Sequence, residues 1–329
     1  MFIVAAMAGA ILVLWLAAKV ILAFFAAVLL AILLRTCAVW VGRYTHLGIG
    51  WSLFVVTMAV LCGFGLIGWL MATPISREVD QLSKQLPQAM NQLQDQLQHY
   101  SWGRELMRNL QQPKGLFSQT GAIVGKLRGI FSITIEGVVY IWVILFCGYY
   151  LAAHPDVYVD GFLKLLPARN RKRGKEVLEQ ITIELRGWLI GQIISMSIIG
   201  LLTWLGLHFL GIPLAAALGL LAGILDFVPV VGPWVAGIVS CLLAVLRSPM
   251  HAVFVACLFV TLHLFEGHVL IPQVQKHATR LPPVLTILAM VLFGTLFGFL
   301  GLFLATPLLA LVMVTTNALY VEDVVEKKT

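Results

Sequence analysis

The sequence predicts an all-α polytopic membrane protein, and three observations carry that reading. Of its 329 residues 60% are hydrophobic and only 11% charged, where a soluble chain is about a quarter charged. Mean hydropathy is +0.96, and the apolar residues come in long blocks rather than amphipathic stripes; a block of about 20 is one bilayer span. Two blocks are interrupted at their centres by glycine or proline, so the whole predicts about seven or eight membrane segments, two of them broken helical hairpins, plus a polar extracytoplasmic helical layer.

The N-terminal transmembrane helices occupy residues 1–72. From Phe2 to Leu34 the chain is apolar except for Lys19. That stretch overshoots one span and predicts two short helices turning near Lys19, with one tilted helix as the alternative. It lacks a charged leader and a small-residue cleavage site, so it reads as a retained span rather than a signal peptide. Arg35 and Arg43, with no acid between them, mark a short loop before a span from about Trp51 to Ala72.

Residues 73–129 are polar and glutamine-rich. Leu82, Leu86, Met90, Leu93 and Leu97 recur there at three- and four-residue steps, forming one apolar stripe on a polar helix. Such a stripe suits the membrane surface or the same helix of a neighbouring subunit. Residues 130–153 span again. Residues 154–185 contain "PARNRKRGKEVLEQITIEL", whose charges alternate in sign after the basic cluster; that predicts a solvated cytoplasmic helix, not a nucleic-acid patch.

Residues 186–318 read as the transport core and 319–329 as a cytoplasmic tail. Within the core, 214–246 carries "DFVPVVGP" and 284–318 carries "GTLFGFLG". Each block is long enough for two short helices, with turns expected at Val230–Gly232 and Phe297–Gly301, meeting near the midplane. Non-helical backbone at membrane depth survives only when buried in protein or lining a wet cavity, and paired interrupted hairpins mark transporter binding sites. The basic pairs Arg35/Arg43 and Lys276/Arg280 orient the chain, with both termini and 154–185 cytoplasmic and 73–129 outside.

Three acidic residues fall in apolar segments: Glu136, Asp226 and Glu266. An ionisable group at membrane depth is a functional hypothesis by default. Glu136 lies near a segment start, where an interface position accounts for it. Asp226 stands beside Pro229, Gly232 and Pro233, and proline frees carbonyls of the preceding turn. A carboxylate with freed carbonyls offers a place to a proton, a cation or a hydroxylated solute; the competing reading is a cap on the following half-helix. Glu266 is expected to pair with Arg280 or to gate the cytoplasmic exit.

Glu184, Arg186 and Gln192 in "ELRGWLIGQ" sit at the mouth of a span, Arg186 snorkelling or gating and Gln192 lining a pathway or binding a neighbouring helix. His263, Glu266 and His268 do not match HExxH, and a helix points His268 away from the other two, so no metal site is expected. The five cysteines form no CxxC pair and read as small hydrophobes. Without a nucleophile elbow or phosphate loop the chain reads as neither an enzyme nor cofactor-dependent, and uphill transport would draw on an ion gradient.

The succession "LRGWLIGQ", "LGIPLAAALGLLAGILDFVPVVGPW" and "EGHVLIPQVQKHATRLPPVLTILAMVLFGTLFGFLGLFLATPL" resembles the AI-2E family of transporters, also called PerM-type permeases. Order and spacing match across about Leu185 to Leu309; the front half matches in layout. The resemblance implies a multi-pass protein of the bacterial inner membrane that exports a small polar solute such as autoinducer-2, or exchanges sodium for protons. It also implies a homo-oligomer, a ring of five among the candidates. Its motifs add Gly298, Gly301 and Pro307 to the expected pathway. One departure stands out: position 226 is Asp where many relatives carry Asn.

Overall fold

The structure is a computed structural model describing residues 2–46, 48–63, 65–66, 135–229, 231–274 and 282–320. Among them every regular element is a helix. Four helices are long and apolar enough to cross a membrane, Ala17–Thr45, Ala168–Phe209, Pro249–Leu270 and Pro283–Tyr320, and four shorter apolar helices accompany them. This is an all-α polytopic membrane architecture. The glutamine-rich layer, its leucine stripe, Lys276 and Arg280 lie outside the described residues.

The described chain forms two compact units. In the first, α1 (Phe2–Thr45) is one uninterrupted helix, so the expected hairpin at Lys19 is replaced by its single-helix alternative. No Gly or Pro lies between Gly9 and Gly42 to break the ladder, and one lysine can keep its charge in water by extending its stem. Arg35 is therefore inside α1 rather than in a loop. Its Nη1 donates to the Ala152 carbonyl at 3.2 Å, a cation at the C-terminal end of α3 (Ile135–Ala153) where the helix dipole favours one.

With α2 (Ile49–Gly63) these helices bury Ala31, Leu34, Ala38, Leu53, Val56 and Ala152 together. Gly148 lets α3 approach α1, since a Cβ there would meet Leu30 Cδ2 at 2.9 Å. Glu136 occupies the second position of α3, the segment start expected for it.

Charged α4 (Pro155–Lys164) precedes α5 (Arg171–Phe209). α5 runs straight through the composition change near residue 185. Gly187 is the interruption there, and a single glycine costs only about 1 kcal/mol in a helix. Arg173 near the start of α5 donates to the Ala318 carbonyl at 2.8 Å, tying it to the segment that follows α10 (Pro283–Thr316).

α10 is two half-helices around Gly298, whose φ 65 and ψ −143 are open to glycine alone. A Cβ at Gly301 would overlap the Phe293 carbonyl. Residues eight apart are far apart along a straight helix, so this contact makes α10 a hairpin, with its turn inside the expected Phe297–Gly301.

The second unit holds α5 from Ser195, α6 (Ala215–Leu225), α7 (Val231–Arg247), α8 (Pro249–Phe265) and a π turn, Glu266–Leu270. The π turn leads into the short α9 (Ile271–Val274), which belongs to the first unit. α5 ends in a paired C-terminal motif: Gly211 N–H donates to the His208 carbonyl at 2.9 Å and Ile212 N–H to that of Leu207 at 3.0 Å. Gly211 supplies the positive φ of 64 that this ending needs.

α8 starts on Ser248, whose hydroxyl accepts from Met250 N–H at 3.2 Å, with Pro249 first in the helix. The core comprises Leu207, Ile212, Ala215, Leu218, Leu243, Ala244 and Val255. Gly200, Gly219 and Gly223 bring α5 and α6 nearly into backbone contact; a Cβ on Gly223 would stand 2.7 Å from the Met196 carbonyl. That closeness places a residue of α5 beside the end of α6.

Candidate functional site

The break between α6 and α7 comes earlier than its sequence suggests. Helical geometry ends at Leu225, Asp226 to Pro229 form the turn, and Val231 and Gly232 already belong to α7. Pro229 stops the first half-helix because it has no N–H and clashes with the turn before it. Pro233 is tolerated in the first turn of α7, where N–H groups have no helical partner anyway. Gly232 allows the reversal: a Cβ there would overlap the Leu225 carbonyl. Both broken hairpins thus use one device, a glycine seated on a carbonyl of the incoming half-helix.

Asp226 is the C-cap of α6 and fully buried, at 0% exposure. A carboxylate at a helix C-terminus faces the negative end of the dipole and gains nothing from it. Its support comes from across the close α5–α6 contact, where the buried Ser195 hydroxyl donates to Asp226 Oδ2 at 3.2 Å.

The other neighbour is Glu266, 4% exposed, whose carboxyl interacts electrostatically with that of Asp226. It sits where α8 widens into the π turn, a distortion that recurs at functional sites. His263, one turn earlier, holds Nδ1 at 3.6 Å from Glu266 Oε2. Beside Glu266 lies a chamber of about 10 Å³ lined by Thr203, Pro233, His263 and apolar side chains, roughly room for one water. The Thr203 hydroxyl is buried there without a partner among the described residues.

Chemically this is an acidic site made by three helices. Two carboxyls that meet away from water can share one proton, whereas two ionised carboxylates only accept. Loss of that proton leaves oxygens that suit a small hard cation, with the Ser195 hydroxyl at hand beside Asp226.

Asp226, Glu266 and Pro233, singled out by sequence, meet here, and Gly232 and Pro229 shape the turn. Glu266 faces Asp226, while the expected partner Arg280 lies outside the described residues. Arg186 is exposed and Gln192 buried on α5; Gly298 is exposed, and Gly301 and Pro307 are buried in α10. All five belong to the other unit. His268 is exposed and hydrogen-bonds the Leu264 carbonyl at 3.0 Å, away from the pair, as helical spacing requires.

Sequence reasoning missed Ser195 and Thr203. A hydroxyl in an apolar helix usually bonds its own backbone, so neither carries a signal of its own. His263 stood in plain view at i,i+3 from Glu266, the spacing of side chains that meet on one face.

Residues 2–320 match the AI-2E family transporter family. The chain belongs to that family. It is 24% identical over 272 residues to "Putative transport protein YueF" of Bacillus subtilis, covering 78% of this chain and 74% of that protein. It is 25% identical over 213 residues to "Putative transport protein YrrI" of the same organism, 61% of this chain and 60% of that one. With "Putative permease PerM" of Escherichia coli it shares 25% identity over 182 residues, 55% and 51% of the two chains. The AI-2E member described here is thus a multi-pass membrane transporter, and against YrrI and PerM the matched part is less than two thirds of the relative's length.

Proposed function

We propose that this AI-2E protein is a secondary transporter of the bacterial inner membrane, coupled by exchange of a proton or small cation at Asp226 and Glu266. The observation that supports the reading is the meeting of two carboxyls from different helices, buried at a helix break. Buried acids at membrane depth are costly and mark proton or ion pathways. A chamber of about 10 Å³ admits a water or a bare cation but no metabolite, so the pair serves as the coupling site. The transported solute is a small polar molecule of the autoinducer-2 kind, moved outward; copies assemble into a homo-oligomer through the stripe from Leu82 to Leu97.

The size of the chamber also favours a second reading, a cation/proton antiporter that carries no metabolite. Purified protein in proteoliposomes under imposed pH or sodium gradients distinguishes them. The proposal expects saturable solute flux that follows the gradient and shows counterflow. Gradient-driven cation exchange without solute flux supports the antiporter, and non-saturating flux indifferent to both gradients indicates a pore and ends the coupling idea.

A further inference from the structure

Three residues around the small chamber beside Glu266 carry a buried polar atom with no hydrogen-bond partner among the described residues: Thr203 Oγ1, His263 Nδ1 and Glu266 Oε2. Thr203 comes from α5, His263 from the last turn of α8 and Glu266 from the π turn that follows it. The rest of the wall is apolar. Buried polar groups are satisfied as a rule, because one left alone has lost its water and gained nothing. Three of them around one chamber point to an occupant that all three share.

Size and chemistry name that occupant. A chamber of about 10 Å³ takes one water, and a buried water needs two to four polar partners. His263 Nδ1 and Glu266 Oε2 stand 3.6 Å apart, too far for a good direct hydrogen bond and a separation at which water bridges. A hard divalent cation takes about six oxygens, whereas the side chains here offer a hydroxyl, a carboxylate oxygen and a nitrogen.

Among the described residues, the titratable groups facing His263 are Glu266 and, beyond it, Asp226 on α6. α5 brings Thr203, and α7 brings Trp234, whose ring centroid lies 6.5 Å from the imidazole. No Lys or Arg lines the chamber. We propose that the chamber binds one water held by Thr203, and that Glu266 exchanges its proton with His263 through that water. The Glu266 O–H gives its proton to the water oxygen, and the water passes one of its own protons to Nδ1 of a neutral imidazole whose ring proton is on Nε2. An acid and an imidazole become a carboxylate and an imidazolium, the water is regenerated, and the two new charges stand close enough to stabilise each other. Thr203 is a positioning residue, acting on the exchange only through the water. The relay deepens the coupling reading and rests on it for its part in transport.

The test is infrared difference spectroscopy of the full chain in lipid nanodiscs, acidic minus neutral pH, in ordinary and in oxygen-18 water. The expected result is a water O–H band that moves with the isotope and changes together with the carboxyl and imidazole bands. Thr203→Val keeps the shape of the side chain without its hydroxyl and should remove the water band, while Thr203→Ser should retain it. His263→Gln should remove the imidazole band and uncouple the water from the pH step. In proteoliposomes, pH-driven flux should slow about tenfold in Thr203→Val, the scale of one hydrogen bond to a charged group, and recover in Thr203→Ser. Absence of an isotope-sensitive band in the parent would overturn the proposal, as would a band that survives Thr203→Val. Parent flux that ignores pH while the three bands still respond together would end the coupling reading and leave the relay standing.

Discussion

A methyl group added at Gly232 has nowhere to go. It would overlap the carbonyl of Leu225 and stand 2.8 Å from the Asp226 nitrogen. These are backbone atoms at the end of α6, so no rotamer change relieves the clash and the turn must open. Overpacking a fitted site costs about 1–3 kcal/mol where side chains can shift; with backbone on both sides Gly232→Ala belongs at the upper end. Gly267→Ala is the control, because nothing lies within 4 Å of a Cβ there and alanine is the better helix former by about 1 kcal/mol. Thermal unfolding of the detergent-purified protein, followed by size-exclusion chromatography, compares the two. At roughly 2–4 °C per kcal/mol, Gly232→Ala should melt several degrees below the parent and Gly267→Ala at or above it. Transport should fall only in the first, since the opened turn carries Asp226 away from Ser195. If both variants melt together with the parent, the hairpin is not held by this contact and the packing argument fails.

Gly298→Ala meets no atom within 4 Å, yet the backbone conformation at Gly298 excludes side chains. It should cost about 1–3 kcal/mol in the same assay, and an unchanged melting temperature would mean that the α10 turn adopts another conformation. Ser195→Ala removes the hydroxyl donated to Asp226 and should cost about 1–3 kcal/mol, with weakened ion coupling in liposomes. Ser195→Thr keeps the donor and should restore the coupling; no difference between the two variants would remove Ser195 from the site. Cysteines placed at Gln94 and Lys172 should label from opposite sides of intact cells, Gln94 from the periplasm, and labelling from one side alone would overturn the orientation.

The apolar blocks made the fold class legible, and the two glycine-rich breaks made the hairpins legible, because few other residues tolerate reversal at membrane depth. Asp226 and Glu266 could each be singled out by the cost of a buried charge. Their meeting could not, because it depends on how closely α5 and α6 approach through Gly200, Gly219 and Gly223, and one glycine in an apolar helix looks like another. Composition misled at Lys19, which does not turn α1, since side-chain polarity alone leaves the backbone hydrogen-bond ladder intact. The first turn falls at Asp226–Pro229 rather than Val230–Gly232 because Pro229 acts on the residues before it while Pro233 fits a helix start.

Asp226→Asn tests the central claim most directly. Asparagine keeps the size of the side chain and can still accept from Ser195, but it cannot ionise or release a proton. Reconstituted parent and variant should be compared for solute flux across a series of imposed pH gradients, at equal protein insertion. The account predicts that the variant folds, inserts and still moves solute down its concentration gradient, while its flux no longer responds to pH. Full flux with the parent's pH response in the Asn variant would contradict the account and place the coupling group elsewhere.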